Sequence, residues 1–121
     1  MIKICSYFDL PIREQRIGHV YQISNGRPRQ VMGISGKIKP LIPPWDLVKG
    51  YKKCAIGRDE FTDRYREHLR ENWSAVKTWL DSLTPRTELY LCCWEREGFC
   101  HRQLVAKMIR THRPDLKVRL T

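Results

Sequence analysis

The sequence predicts a small α/β fold in which helices flank a largely parallel sheet. Three observations support this prediction. The chain has 121 residues, a length typical of a single domain with its own core. Apolar residues make up 41% of it, close to the usual globular share, so we expect an ordered structure. Segments with the pattern of strands alternate with segments of helical periodicity, as in α/β proteins. We therefore predict one domain over residues 1–121.

Four segments are predicted as strands. Residues 88–94 are apolar on both alternating faces, which is typical of an interior strand of a parallel sheet. Residues 116–120 alternate between apolar and basic side chains, which favours an edge strand. The other predicted strands are residues 2–8 and residues 19–24, the latter ending at the turn-forming pair Asn25-Gly26.

Four segments are predicted as helices: residues 45–49, 59–72, 74–83 and 99–112. The first is expected to begin after Pro43-Pro44 and to end at Gly50. The second has the clearest apolar face and is expected to be capped by Asp59. Residues 33–44 are rich in Gly, Lys and Pro, so we expect them to form an exposed loop.

The cysteines and the amino terminus indicate a protein of a reducing compartment. The five cysteines, at positions 5, 54, 92, 93 and 100, are odd in number and irregularly spaced, which favours free thiols over a disulfide framework. No run of about eighteen apolar residues predicts a membrane span. The first residues do not resemble a signal peptide. We therefore expect a cytoplasmic protein that does not insert into a membrane.

The positive charge is concentrated in two parts of the chain. The formal net charge is +10, of which residues 11–53 contribute +7 and residues 96–121 contribute +5, while residues 58–88 contribute −1. Concentrated positive charge attracts anions, including phosphates and nucleic acid. The alternative interpretation is a soluble protein that is simply basic.

The most informative stretch for function is residues 89–102, where a buried strand leads through a short turn into a helix. Ligands of open α/β sheets bind at the carboxyl ends of strands, and the amino end of a helix attracts anions. Arg102 can hold a phosphate or carboxylate through two hydrogen bonds. A thiol such as Cys100, beside His101 and Arg102, has its thiolate favoured and is a better nucleophile. Glu95 is expected to act as an acid or base, or to orient Arg102 or His101.

Structural explanations compete with this hypothesis. Cys92 and Cys93 can be packed thiols, although Cys93 lies nearer the turn and is the better candidate for function. Glu95 and Arg102 can form an ion pair that only stabilises the fold, and His101 can be an exposed residue of the helix.

A zinc site is a further alternative, since Cys93, Cys100 and His101 offer three ligands from one turn. Two features argue against it: the chain lacks a Cys-x2-Cys pair here, and Cys100 and His101 would point about 100° apart within a helix. No metal and no cofactor is therefore predicted. The spacing of a phosphatase loop does not fit either, because Cys93 precedes Arg102 by nine residues rather than six.

The same stretch resembles an uncharacterised family known as domain of unknown function 488. The family's strongest mark is an apolar strand ending in Leu-Cys-aromatic-Glu, followed by a short loop and Cys-His-Arg at the start of an apolar helix. The corresponding residues here are Leu-Cys-Cys-Trp-Glu at 91–95 and Cys-His-Arg at 100–102. The doubled cysteine departs from the pattern, so either Cys92 or Cys93 can be the family's cysteine. Further similarity lies at residues 6–8, 23–29, 41–44, 51–52, 61–65 and 69.

The resemblance implies a compact α/β fold with a shared pocket but supplies no activity, because none is established for the family. It groups Ser6, Arg27 and Arg29 with the Cys-His-Arg turn as ligand-binding residues. The positions of Ser6 and Ser24 at the ends of predicted strands support this grouping independently. The Arg27-Pro28-Arg29 stretch is alternatively a solvated turn.

Three functions remain open at this point. The first is an enzyme or sensor that binds a phosphate-bearing small molecule, most simply a nucleotide. Its ligand-binding residues would be Arg102, Arg27, Arg29 and Ser6, and its reactive residues Cys100, His101, Glu95 and Cys93. The second is a basic module that associates with nucleic acid through its charges and its exposed aromatic rings. The third is a thiol redox or metal site. The sequence does not predict an oligomeric state.

Overall fold

The structure is a computed structural model that describes residues 1–96 and 98–121. In this part of the chain, five strands form one sheet that is accompanied by four α-helices. The strands are β1 (Ile2–Ser6), β2 (His19–Gln22), β3 (Gly36–Lys37), β4 (Leu89–Cys93) and β5 (Val118–Leu120). The helices are α1 (Trp45–Lys52), α2 (Arg58–Glu71), α3 (Trp73–Asp81) and α4 (Arg102–His112). The predicted α/β class is confirmed.

The sheet has the strand order β3-β2-β4-β1-β5, and each of its strand pairs is parallel. Strand β4 lies at the centre and all of its residues are buried, which confirms the predicted interior strand. Strand β5 lies at one edge, also as predicted. Because the strands are parallel, the carboxyl ends of β1, β2 and β4 meet at the same edge, where Ser6 pairs with Cys93 and Gln22 with Cys92.

The two faces of the sheet bury different cores. On one face, Ile4, Leu91 and Cys93 belong to a large core to which all four helices contribute. On the other face, a smaller core contains Cys5 and Cys92, and it is completed by residues outside the four α-helices. Successive strand residues point to opposite faces, so the adjacent cysteines of β4 lie in separate cores.

The bounds of all four helices differ from the prediction, most informatively in α1, α2 and α4. Helix α1 continues through Gly50 to Lys52, so the expected stop at Gly50 is wrong. The left-handed backbone conformation that often follows a helix is adopted here by Cys54, at a φ of 59°. Helix α2 begins one residue earlier than expected, and its N-cap is Gly57. Asp59 therefore lies within the first turn, where its negative charge interacts favourably with the helix dipole, but it does not cap the helix.

Two further differences concern the site. Helix α4 begins at Arg102 rather than at residue 99, so Cys100 and His101 precede the helix. Strand β3 lies within the segment that was predicted as a loop, because its two residues hydrogen-bond to β2 at Tyr21 and Gln22. A strand this short has too few residues for an alternating pattern.

Among the described residues, no helix combines the length and the apolar character that crossing a bilayer requires. All five cysteines fall within the described part of the chain and all five are free thiols; Cys54 is exposed and the other four are buried.

Candidate functional site

The turn between β4 and α4 brings two thiols and a carboxylate together. Cys93 ends β4 and Cys100 lies two residues before α4, yet their sulfur atoms are 3.0 Å apart. The Oε2 atom of Glu95 lies 3.3 Å from the Sγ atom of Cys100. The turn therefore folds back on the strand end and gathers the predicted reactive residues, with the two cysteines buried and Glu95 half-buried.

Arg102 lies beneath this turn and faces the protein. Its side chain is only 4% exposed. Its Nη1 atom donates to the carbonyl oxygen of Glu95 and lies 3.2 Å from Cys93 Sγ, while Nη2 donates to the carbonyl of Arg96 at 3.3 Å. These bonds leave the guanidinium little surface for a ligand. In this geometry the guanidinium of Arg102 binds the carbonyls of the turn and can stabilise a thiolate at Cys93. The expected contact with a phosphate would compete with these bonds.

His101 is also buried rather than exposed on the helix surface. Its Nε2 atom lies 2.5 Å from the carbonyl oxygen of Ile23, just beyond the end of β2. A carbonyl oxygen only accepts hydrogen bonds, so Nε2 carries the proton. In the neutral ring the other nitrogen, Nδ1, is then an acceptor, and it lies 3.5 Å from Cys100 Sγ. His101 therefore joins β2 to the thiol pair.

The pKa values of the two thiols of the site are shifted in opposite directions. The thiol of Cys100 donates a hydrogen bond to Cys93, and this bond, together with Arg102, lowers the pKa of Cys93 against the opposing effect of burial. The same bond and burial raise the pKa of Cys100. Cys93 is therefore the sulfur that ionises first, and Cys100 retains its proton.

Two hydrogen bonds from neighbouring elements hold the turn in place. The Oγ atom of Ser6, at the end of β1, donates to the carbonyl of Trp94 at 3.1 Å and accepts from the backbone of Phe8. On the other side, the Oε1 atom of Gln103 accepts from the backbone N–H of Cys100 at 2.8 Å. Ser6 thus supports the turn from inside the protein, where it is fully buried.

The structure distinguishes the two adjacent cysteines. Cys93 points into the core shared with the helices and takes part in the site. Cys92 points into the opposite core, where its sulfur lies 3.8 Å from that of Cys5. The cysteine that reaches Cys100 is therefore Cys93, as its position nearer the turn suggested.

A cleft of about 270 Å³ opens beside the site, and we call it the tryptophan cleft. Its walls come from the segment after β2, from α1 and from the β4–α4 turn. They comprise Ser24, Asn25, Gly26, Pro43, Trp45, Val48, Lys52, Trp94, Glu95 and His101. A small cavity of about 30 Å³ shares Glu95 and His101 with the cleft and is also lined by Cys100. The β4–α4 turn therefore lies at the wall of an open cleft.

The two predicted anion-binding arginines lie near the cleft but outside it. Arg27 lines a neighbouring hollow of about 400 Å³ that shares Asn25 and Gly26 with the tryptophan cleft and also contains Lys37. Arg29 lines a separate hollow with Arg27. Both arginines are exposed, so their side chains are available to an anion.

The cleft contains three residues that sequence reasoning did not select: Trp45, Lys52 and Trp94. Trp94 was within the recognised motif and was treated only as part of it. Trp45 follows Pro43-Pro44 at the start of a short helix, and an aromatic residue at such an exposed start is the one signal that pointed to it. Lys52 was noted only as part of the family-like segment 51–52, and α1 was expected to end before it.

The comparisons with known proteins identify a family but no characterised relative. A model of the family DUF488-N3a, described as the active DUF488-N3 subclade, matches residues 3–113. The match includes all of the site residues described above. No curated protein and no solved structure matches the chain.

Proposed function

The chain belongs to the DUF488 family, and we propose that it is an enzyme or sensor that binds a phosphate-bearing small molecule, most simply a nucleotide, in the tryptophan cleft. The observation that carries the proposal is the presence of two exposed tryptophans in a cleft whose wall also contains Glu95 and His101 of the β4–α4 turn. The family description supplies no substrate, so the proposal depends on the geometry and charge of the cleft.

The tryptophans support binding of a planar ring. Trp45 is 55% exposed and Trp94 is 38% exposed, although large aromatic side chains are usually mostly buried. An indole ring offers a broad apolar face, and stacking of a base on such a ring is worth about 1–3 kcal/mol. A ring bound against Trp94 lies next to Glu95 and His101.

The charges support binding of an anion beside that ring. Lys52 lies in the cleft, and Arg27 and Lys37 lie in the adjoining hollow, which shares Asn25 and Gly26 with the cleft. All three basic side chains are exposed. A nucleotide with its base in the cleft can therefore direct its phosphate towards Lys52 or across to Arg27. Clustered positive charges of this kind concentrate anions.

The reactive groups lie where the ring would bind. Glu95 and His101 line the cleft, and the thiol of Cys100 faces the small cavity that these two residues share with it. A carboxylate and an imidazole are suited to acid–base work on a bound ligand.

The proposal is tested by titrating the protein with a purine and a pyrimidine nucleoside monophosphate, the matching nucleosides, and ribose 5-phosphate. Binding should change the intrinsic tryptophan fluorescence, and a ligand at a hundred times its dissociation constant should stabilise the fold by about 2.7 kcal/mol. Trp45→Ala should weaken the binding of all ligands that carry a base, and Lys52→Gln should weaken only those that carry a phosphate.

The matched control is Lys53→Gln, because Lys53 is the exposed neighbour of Lys52 and does not line the cleft. It should bind the same ligands with unchanged affinity. Absence of any response to the five ligands contradicts the proposal, and so does an equal loss of affinity in Lys52→Gln and Lys53→Gln.

A second candidate, association with single-stranded nucleic acid, is favoured by one further observation. Phe8 is 49% exposed, and its ring centroid lies 6.5 Å from that of Trp94, so the aromatic surface continues beyond the cleft. If the ligand is a strand, an oligonucleotide should bind much more tightly than a mononucleotide. Its affinity should fall with salt on a log–log slope of about −0.7 per phosphate contact. A flat salt response would exclude this candidate.

A further inference from the structure

The cluster of Cys93, Glu95 and Cys100 has the composition of a metal site. Its three donor atoms, two sulfurs and one carboxylate oxygen, all lie within 4.8 Å of one another. Thiolates and carboxylates are zinc ligands in proteins. We infer that these three side chains bind a thiophilic divalent cation of the zinc class. The inference does not depend on nucleotide binding, because none of the three donors requires a ligand in the cleft.

The distances between the donors are compatible with such an ion. A tetrahedral zinc about 2.3 Å from each sulfur and 2.1 Å from an oxygen separates neighbouring ligand atoms by roughly 3.6–3.8 Å. The observed separations are 3.0 Å between the two sulfurs and 3.3 Å between Cys100 Sγ and Glu95 Oε2. These two pairs therefore need to spread by less than about 1 Å, while the remaining pair, Cys93 Sγ and the Glu95 carboxylate oxygen, lies within 4.8 Å. Cys100 and Glu95 lie outside the regular elements, where such an adjustment is easiest.

The charges around the cluster balance when a divalent cation is present. Two thiolates and one carboxylate carry three negative charges. The cation supplies two positive charges and the guanidinium of Arg102, 3.2 Å from Cys93 Sγ, supplies the third. An uncompensated buried charge is costly. Without a cation, two sulfurs 3.0 Å apart cannot both ionise, and a proton must stay between them.

The surroundings resemble those of a metal site with an open position. His101 is held by the carbonyl of Ile23, and its Nδ1 atom faces Cys100 Sγ at 3.5 Å, next to the cluster. Anchoring through the opposite ring nitrogen is typical of histidines at metal sites. The cavity lined by Glu95, Cys100 and His101 has a volume of about 30 Å³, which is large enough to admit a water. Three protein ligands and a water are the usual arrangement of a catalytic zinc.

The structure also removes an argument against a metal that the sequence suggested. Cys100 and His101 were expected to diverge because they would lie within a helix. Both residues precede α4, which begins at Arg102, and their side chains approach each other. The absent Cys-x2-Cys pair is replaced by a pair that the folded turn brings together from positions seven residues apart.

The test uses cobalt(II) as a spectroscopic probe. The full chain is stripped with a chelator, kept in a reductant that does not bind metals, and titrated with cobalt without nucleotide. We expect one cobalt per chain and a thiolate-to-cobalt charge-transfer absorption that zinc abolishes by displacement. Cys93→Ser and Cys100→Ser should weaken binding by more than about 100-fold, exceeding the usual loss from a residue that only supports a ligand. Affinity should fall on acidification, because protons compete for the sulfurs.

Two cysteines of the same chain provide matched controls. Cys92→Ser alters the neighbouring residue in the opposite core, and Cys54→Ser alters an exposed thiol; both variants should retain the absorption. Trp45→Ala should also retain it, so failure of the nucleotide proposal is distinguishable from failure of this one.

Three outcomes overturn the inference. They are a reduced wild-type protein without cobalt absorption, an absorption in Cys93→Ser and Cys100→Ser as strong as that of the wild type, or a disulfide between Cys93 and Cys100 that persists in reductant and excludes the metal. If a cysteine variant does not fold, Glu95→Gln at its half-exposed position decides the question. Unchanged affinity in that variant contradicts a site in which the carboxylate is a ligand.

Discussion

Arg102 shows how one side chain can serve both the fold and the site. Its guanidinium binds the carbonyl oxygens of Glu95 and Arg96, which a turn without secondary structure would otherwise leave unpaired. The same group lies against Cys93 and stabilises the thiolate there. A shorter or apolar side chain at this position removes both effects at once.

We expect Arg102→Met to destabilise the protein by about 2–4 kcal/mol, because the partly buried carbonyls of the turn lose a charged donor. It should also raise the pKa of Cys93, so that this thiol reacts with an alkylating reagent only at higher pH. Urea unfolding measures the first effect, and the pH profile of alkylation, with Cys93 followed by peptide mapping, measures the second. Arg64→Met is the control on the exposed face of α2, and its effect should stay within about 0.5 kcal/mol. Equal midpoints for the two variants contradict the buried position of Arg102.

The sequence predicted those site residues that are close together along the chain. Cys93, Glu95, Cys100, His101 and Arg102 belong to one stretch whose strand–turn–helix pattern indicated where they would meet. Of the partners from distant segments, Ser6 and Ser24 were expected near the turn because each ends a predicted strand, but no local pattern indicated that the others would approach. The carbonyl of Ile23 and the remaining walls of the tryptophan cleft are of this kind, since only tertiary packing brings them to the turn.

At the scale of elements, the central strand pair depends on a glycine that precedes β2. Gly18 has a φ of 96°, and a Cβ atom there would lie 2.0 Å from the carbonyl oxygen of Glu88, the residue before β4. The pairing of β2 with β4 starts at the next residues, His19 and Leu89. Strand propensity predicted both strands, but this close approach depends on their register in the folded sheet.

We expect Gly18→Ala to destabilise the protein by more than about 2 kcal/mol, because the new methyl group is both strained and blocked by backbone. The control is Gly50→Ala within α1, where the nearest atoms are side-chain carbons of Ile56 at 3.7 Å. That substitution should stabilise the protein by about 0.5–1 kcal/mol, since alanine favours a helix. Thermal unfolding compares the two variants, and a Gly18→Ala protein as stable as wild type would contradict the observed pairing.

At the scale of the whole molecule, the two cores contain several tyrosine hydroxyls and cysteine thiols that stay protonated at a pH where the same groups of the unfolded chain ionise. Burial raises the pKa of Tyr7 and, above all, of Tyr65. Hydrogen bonding to a neighbouring sulfur, together with burial, raises the pKa of Cys92 and of Cys100. Stability depends on pH wherever the folded and unfolded states bind different numbers of protons. The packing of both cores therefore determines how the free energy of unfolding changes at alkaline pH.

The free energy of unfolding should therefore fall as the pH rises beyond about 8.5, where unfolded cysteines ionise, and more steeply beyond about 10, where unfolded tyrosines do. Each group with a raised pKa retains its proton in the folded state and removes about 1.4 kcal/mol per pH unit above its unfolded pKa. Cys5 and Cys93 have lowered pKa values and act in the opposite sense, but their contribution is complete once the unfolded thiols ionise. They do not oppose the decline at higher pH.

Tyr65 allows this expectation to be tested on one group. Its hydroxyl donates to the carbonyl of Leu41 at 2.6 Å, so Tyr65→Phe should cost about 1–3 kcal/mol at neutral pH by leaving that acceptor unpaired. Above pH 10, however, the variant should lose stability less steeply than wild type, by about 1.4 kcal/mol per pH unit, because it has no phenol to ionise on unfolding. Urea unfolding of both proteins in reductant across this range measures the two slopes. Parallel slopes would mean that the phenol ionises as readily in the folded core as in the unfolded chain, which contradicts its complete burial beside Leu41.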